Sequence, residues 1–108
     1  MDKITEKQSF CVASATKVLG DKWSPKLIAT LLERPLHFCE IQTTTLGINP
    51  RILSLRLNKL VKAGIVDKVI NPSSSHKTIY SLTKKGHDLF PILQSMVDWG
   101  KRYGSKAD

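Results

Sequence analysis

Apolar positions recur along this chain with two periods. From Cys11 to Leu19, the residues Val12, Ala15 and Leu19 fall three and four apart, the repeat of one helix face, and Gly20 can end that helix. In "SPKLIATLLER", Leu27, Ile28, Leu31 and Leu32 form a second stripe. Ser24 suits the N-cap, Pro25 suits the first helical position, and Pro35 stops the helix. "FCEIQTTT" reads as a short helix with Phe38 and Ile41 inward, leading to a turn at Gly47. In "INPRILSLRLNKLVKAGIV", Asn49 caps, Pro50 starts and Gly64 ends a fourth helix, with Ile65 folding back onto its last turn. At about 100° per residue, Leu53, Leu57, Leu60 and Val61 share one face of it. The period then shortens. "IVDKVI" and "KTIYSL" are β-branched and roughly alternating, and "NPSSSH" between them signals a turn, so this is a β-hairpin with a polar tip. Thr83 caps a last helix, which Pro91 should kink or break near His87.

The predicted order is helix, helix, short helix, turn, helix, hairpin, helix. The fold class is therefore mainly α with a small β-hairpin. A short helix joined by a glycine-containing turn to a longer one is a helix-turn-helix, and a hairpin directly behind it makes the winged variant. Residues 11–108 form this domain, and residues 1–10 are read as a flexible polar N-terminus. The last helix carries two adjacent apolar stripes, Leu89/Leu93/Met96 and Ile92/Met96/Trp99/Tyr103. A helix covering one core needs a single stripe of about 100°. The second stripe, Ile92, Met96, Trp99 and Tyr103, is expected to meet a partner copy, joined by Val12, Ala15 and Leu19. The chain is thus expected to be a homodimer with dimerisation helices at both ends.

Charge adds a partner to this picture. Seventeen basic residues against nine acidic give a net charge of +8. That favours an anionic partner, with nucleic acid the first candidate and an anionic membrane surface the second. The charge is organised. The fourth helix carries Arg51, Arg56, Lys59 and Lys62 and no acid. Opposite its leucine face lie Arg51, Leu55, Asn58, Lys59 and Lys62, with Arg56 on the flank. The major groove of duplex DNA admits one helix between two lines of phosphates, so a recognition helix needs both a core face and a basic face. The candidate DNA-binding residues are Thr43, Thr44, Asn49, Arg51, Leu55, Arg56, Asn58, Lys59, Lys62, His76 and Lys77. Arg51 is the expected base contact, since the N-terminal end enters the groove. Leu55 is expected on a thymine methyl. Lys59, Lys62, Lys77, Thr43 and Thr44 are expected on phosphates, while Arg56 is open between a phosphate and an intramolecular pair.

Other chemistry finds little support. His37, His76 and His87 are scattered with no metal-ligand spacing, and Ser24 and Ser54 have no base partner in the pattern, so neither an enzyme nor a cofactor is expected. Trp23 and Trp99 read as packing residues. Two cysteines, Cys11 and Cys39, make no disulfide framework. No signal peptide or membrane-spanning run is present, so a cytoplasmic protein without a membrane partner is expected. A winged-helix protein-interaction module without direct DNA readout is the alternative function.

The segments "LGDKWSPKLIATLLERPLHFCEI", "INPRILSLRLNKLVKAGIV" and "YSLTKKGHDLFPIL", with "WG" near the end, resemble the HxlR-type family of bacterial winged helix-turn-helix transcriptional regulators. The resemblance implies homodimers on near-palindromic promoter sites, with N- and C-terminal helices at the dimer interface. It also implies that an oxidant, electrophile or small ligand is a candidate effector, since some members sense such agents through a thiol. Cys11 aligns with the N-terminal cysteine of such regulators and is the candidate redox residue. It is expected at or near the start of the first helix, where unpaired amides stabilise a thiolate. The sequence departs from the family in the wing, where "SSSH" replaces prolines, and at Leu55, where a polar residue is common.

Overall fold

A computed structural model describes residues 3–70, 73 and 78–104. The elements are α1 (Glu6–Leu19), α2 (Ser24–Leu31), β1 (Leu36–His37), α3 (Phe38–Thr44), α4 (Pro50–Lys62), β2 (Val66–Ile70), β3 (Thr78–Leu82), α5 (Lys84–His87) and α6 (Phe90–Tyr103). The strands form one antiparallel sheet in the order β1-β3-β2, with Leu36 opposite Tyr80 and Val66 opposite Leu82. This is a winged helix, mainly helical with a small sheet.

The stripes of α2, α3 and α4 find the core. Leu27, Ile28 and Leu31 of α2, Ile41 of α3, and Leu53, Leu57 and Leu60 of α4 are buried together with Ile48, Ile65, Val66, Tyr80, Leu82 and Leu93. Leu32, Phe38 and Val61 pack half-buried around them. Asn49 Oδ1 accepts from the Ile52 amide at 2.9 Å, which caps α4. Gly64 (φ +76°) ends it in the left-handed conformation. The Ile65 amide returns to the Leu60 carbonyl and the Gly64 amide to that of Val61, each at 3.0 Å, completing a Schellman motif.

The structure corrects three local expectations. The first helix starts at Glu6, so residues 6–10 are helical rather than a loose tail. Thr5 Oγ1 accepts from the Gln8 amide and Gln8 Oε1 from the Thr5 amide, a reciprocal cap. Ser24 is the first residue of α2 rather than its cap. The carboxylate of Asp21 does that work, accepting from the Trp23 and Ser24 amides at 2.8 and 2.7 Å. The hairpin gains a third strand, β1, from residues between α2 and α3. The break expected near His87 is present: the last helix is two helices, separated at Asp88–Leu89, with Pro91 inside the first turn of α6 where its missing amide costs nothing.

"LTKKG" explains how α5 locks onto the exit of α4. Thr83 Oγ1 donates to the Gly64 carbonyl at 2.6 Å, and Lys85 Nζ donates to the Ala63 carbonyl at 2.8 Å. Carbonyls that a helix end leaves without partners are thereby satisfied. Gly86 is buried so closely that a Cβ there would lie 2.4 Å from the Ile65 carbonyl oxygen.

Candidate nucleic-acid interface

The helix-turn-helix is α3, the turn through Thr45, Leu46, Gly47, Ile48 and Asn49, and α4. Gly47 takes φ +87°, which turns the chain sharply, and buried Ile48 anchors the turn to the core. With Leu53, Leu57 and Leu60 fixed inside, α4 shows its other face to solvent. Arg51, Leu55, Asn58, Lys59 and Lys62 are all exposed there. Leu55 is 56% exposed in the midst of these polar side chains. None of these residues is spent on an ion pair among the described residues. The face is free to meet an anion.

Other expected contacts stand differently. Asn49 is exposed, but its side-chain oxygen is committed to the cap, leaving its amide nitrogen to donate outward. Thr43 and Thr44 are exposed at the end of α3, and their hydroxyls donate to the Cys39 and Glu40 carbonyls at 2.9 and 3.0 Å. A phosphate would have to draw those hydrogens away. Arg56, left open by the sequence between a phosphate and an intramolecular pair, has an acidic partner within the chain. Its guanidinium Nε lies 3.9 Å from Asp21 Oδ1, an ion pair too long for a hydrogen bond, with both side chains largely covered. His76 and Lys77 of the wing lie outside the described residues.

Asp21 is the residue that sequence reasoning missed. Burial pushes its carboxyl group up, but the Ser24 hydroxyl, the Ser24 and Trp23 amides and Arg56 together outweigh that and hold it below the ordinary 3.8. Its only sequence signal was an Asp three residues before a Ser-Pro helix start.

The residues expected at a dimer interface lie mostly in the open. Val12, Ile92, Met96, Trp99 and Tyr103 are exposed, and the Trp99 and Tyr103 rings meet at a tilt of 51° with centroids 5.3 Å apart. Phe10, Phe90 and Val97 add further exposed apolar surface. Ala15 is half-buried, and Leu19 packs half-buried on the chain's own core. Cys11 is exposed. It is the sixth residue of α1 rather than the first, so the unpaired amides at the helix start lie beyond its reach. Among the described residues no three His, Cys, Asp or Glu side chains gather into a metal site. No helix among them is long and apolar enough to cross a membrane.

Comparison with known proteins agrees with this geometry. The family described as HxlR-like helix-turn-helix matches residues 18–108. An HTH-type transcriptional regulator of Methanothermobacter thermautotrophicus is 32% identical over 108 residues, 99% of this chain and 82% of that protein. The HTH-type transcriptional regulator YodB of Bacillus subtilis is 34% identical over 95 residues, covering 88% of this chain and 85% of its own. The structure of reduced YodB superposes with a TM-score of 0.78 at 31% identity, over 98% of this chain and all of that one. The redox regulator HypR in its reduced form superposes at 0.79 with 32% identity, over 84% of this chain and 90% of its own. Structures also exist of oxidised HypR and of quinone-bound YodB. The two-faced helix, the wing and these relatives together place the chain in the HxlR-like helix-turn-helix family.

Proposed function

We propose that the chain is a sequence-specific transcriptional regulator that binds duplex DNA as a homodimer on a near-palindromic operator. The observation that carries this is the division of α4, with Leu53, Leu57 and Leu60 sealed into the core and Arg51, Leu55, Asn58, Lys59 and Lys62 open to solvent. Arg51 reads a guanine edge and Leu55 packs on a thymine methyl. Lys59 and Lys62 hold phosphates, as does Lys77 of the wing, with His76 beside it. Arg56 acts within the protein, fixing α4 against the α1–α2 corner. Exposed Ile92, Met96, Trp99, Tyr103 and Val12 meet the same residues of a second copy. Two recognition helices related by a two-fold axis then address half-sites about one helical turn apart, or a multiple of it.

An electrophoretic shift on random duplex at low salt tests the first half of this reading. Retention at low salt and loss at higher salt is expected, since phosphate contacts release counterions. No shift would favour the protein-interaction alternative. Selection from random duplexes then gives the operator, which should be near-palindromic.

Regulation by an oxidant or electrophile through Cys11 is a second part of the proposal. Its support is the exposure of Cys11 on α1, beside the expected partner surface, and the redox and quinone relatives. Diamide should change operator affinity of the native protein and leave Cys11→Ser unaffected. Equal responses would remove Cys11 from the scheme.

A further inference from the structure

Just ahead of α2, the side chain of Trp23 gathers two lysines. The ammonium nitrogens of Lys22 and Lys26 stand 4.9 and 5.3 Å from the centroid of its ring. An aromatic face attracts cations at such distances, so the ring holds two like charges near one another that would otherwise separate. Both lysines are exposed, and neither has an ion-pair partner among the described residues. The one acid nearby in sequence, Asp21, is turned to Ser24, Trp23 and Arg56.

The location gives this pair its meaning. A Cβ at Gly47 would meet Trp23 Cη2 at 3.8 Å, so the ring lies beside the turn of the helix-turn-helix. Lys26 lines a shallow depression together with Thr44, Thr45 and Leu46 of that turn. Asp21, next to Lys22, is paired with Arg56 in the middle of α4. The two lysines therefore flank the N-terminal half of the recognition helix, outside both α3 and α4. A helix seated in the major groove has a phosphate line on either side.

We infer that Lys22 and Lys26, arranged by the ring of Trp23, form a clamp for backbone phosphates of DNA beside the groove occupied by α4. The inference rests on the DNA-binding reading above and adds a contact surface to it. Phosphate contacts carry no sequence information of their own, so the clamp sets affinity and register rather than base preference. Trp23 is a positioning residue.

The test is the salt dependence of affinity for the selected operator and for random duplex. Each phosphate contact contributes about 0.9 to the slope of log affinity against log salt, and a dimer presents the pair twice, so Lys22→Gln/Lys26→Gln should flatten the slope by about 3.6 on both duplexes. Operator preference should remain. Lys7→Gln/Lys101→Gln removes the same charge from α1 and α6 and should keep the wild-type slope. Trp23→Phe retains a ring face and should keep it as well. An unchanged slope in the Lys22/Lys26 variant, with wild-type operator binding intact, overturns the clamp. So does equal flattening in the Lys7/Lys101 variant, and a full wild-type slope in Trp23→Leu, which has no ring face, overturns the role of the ring. A wild-type chain that binds no duplex at low salt overturns the DNA reading itself, and the clamp with it.

Discussion

Arg51 leaves α4 from its second position, just after Pro50, and this is the end of a recognition helix that enters the groove. A bidentate arginine–guanine pair is worth about 1–3 kcal/mol of discrimination. Arg51→Ala should therefore narrow the gap between operator and random duplex by that amount in competition binding. Lys59→Ala should weaken both duplexes alike. An operator affinity unaltered by Arg51→Ala would remove the residue from the base-reading set. Asp21 invites a different test. Its carboxyl group is held below 3.8 in the folded chain, so its ionised form stabilises the fold. That contribution is complete above the ordinary value and is lost as pH falls through the lowered one. Asp21→Ala strands two amides and Arg56, at a cost of about 1–3 kcal/mol near neutrality. The deficit relative to wild type should shrink in acid melts below pH 3.8. Asn49 and Pro50 were legible because caps act over three residues. The partner of Arg56 was not, because it comes from the corner between α1 and α2, which only the tertiary fold brings near.

At the scale of elements, hydrophobic period located α2, α3, α4 and β3, because each buries one face, while β2, which buries only Val66, was legible from its β-branched residues and the turn that follows. It failed where burial is slight. No residue of α1 is fully buried, so its first turns have no stripe, and the reciprocal Thr5–Gln8 cap was the available signal. The two residues of β1 are too few to show any period, and their pairing depends on β3, far along the chain. The same long reach explains Gly86. The motif containing it was visible, but the Ile65 carbonyl against which it packs was not. A methyl group there has no room, so Gly86→Ala should destabilise the domain by about 1–3 kcal/mol in denaturant melts. Because α5 bonds to the exit of α4, hydrogen exchange at Gly64 and Ile65 should accelerate in that variant. Unchanged stability would mean that the Ile65 carbonyl yields freely.

As a whole molecule the chain is elongated, 55 × 34 × 23 Å, with a radius of gyration of 15.5 Å. A compact domain of this length would have about 13 Å. The excess goes with α1, which has no fully buried residue, and α6, where Leu93 alone is fully buried. The second apolar stripe of α6 was legible in the sequence, and the fold leaves Trp99 66% exposed. Surfaces of this kind mark interaction sites on small proteins. Sedimentation at micromolar concentration should give twice the 12.1 kDa of one chain. Met96→Glu, at the crossing of both stripes, should yield monomers that remain folded and lose operator affinity. A wild-type monomer at that concentration would end the two-fold scheme.

The two residues of β1 have a bearing on thermodynamics. Leu36 and His37 join α2 to α3, yet they are also a strand of the wing, with His37 Nδ1 3.2 Å from the Thr78 carbonyl oxygen. The base of the hairpin and the reading unit are therefore one body. A hinged wing would surrender orientational freedom at the moment of docking, and that loss opposes association. Here the base of the wing has lost it during folding. Calorimetry of operator binding should accordingly find an entropy less unfavourable than that of a variant whose β1–β3 pairing is broken, such as Leu36→Pro.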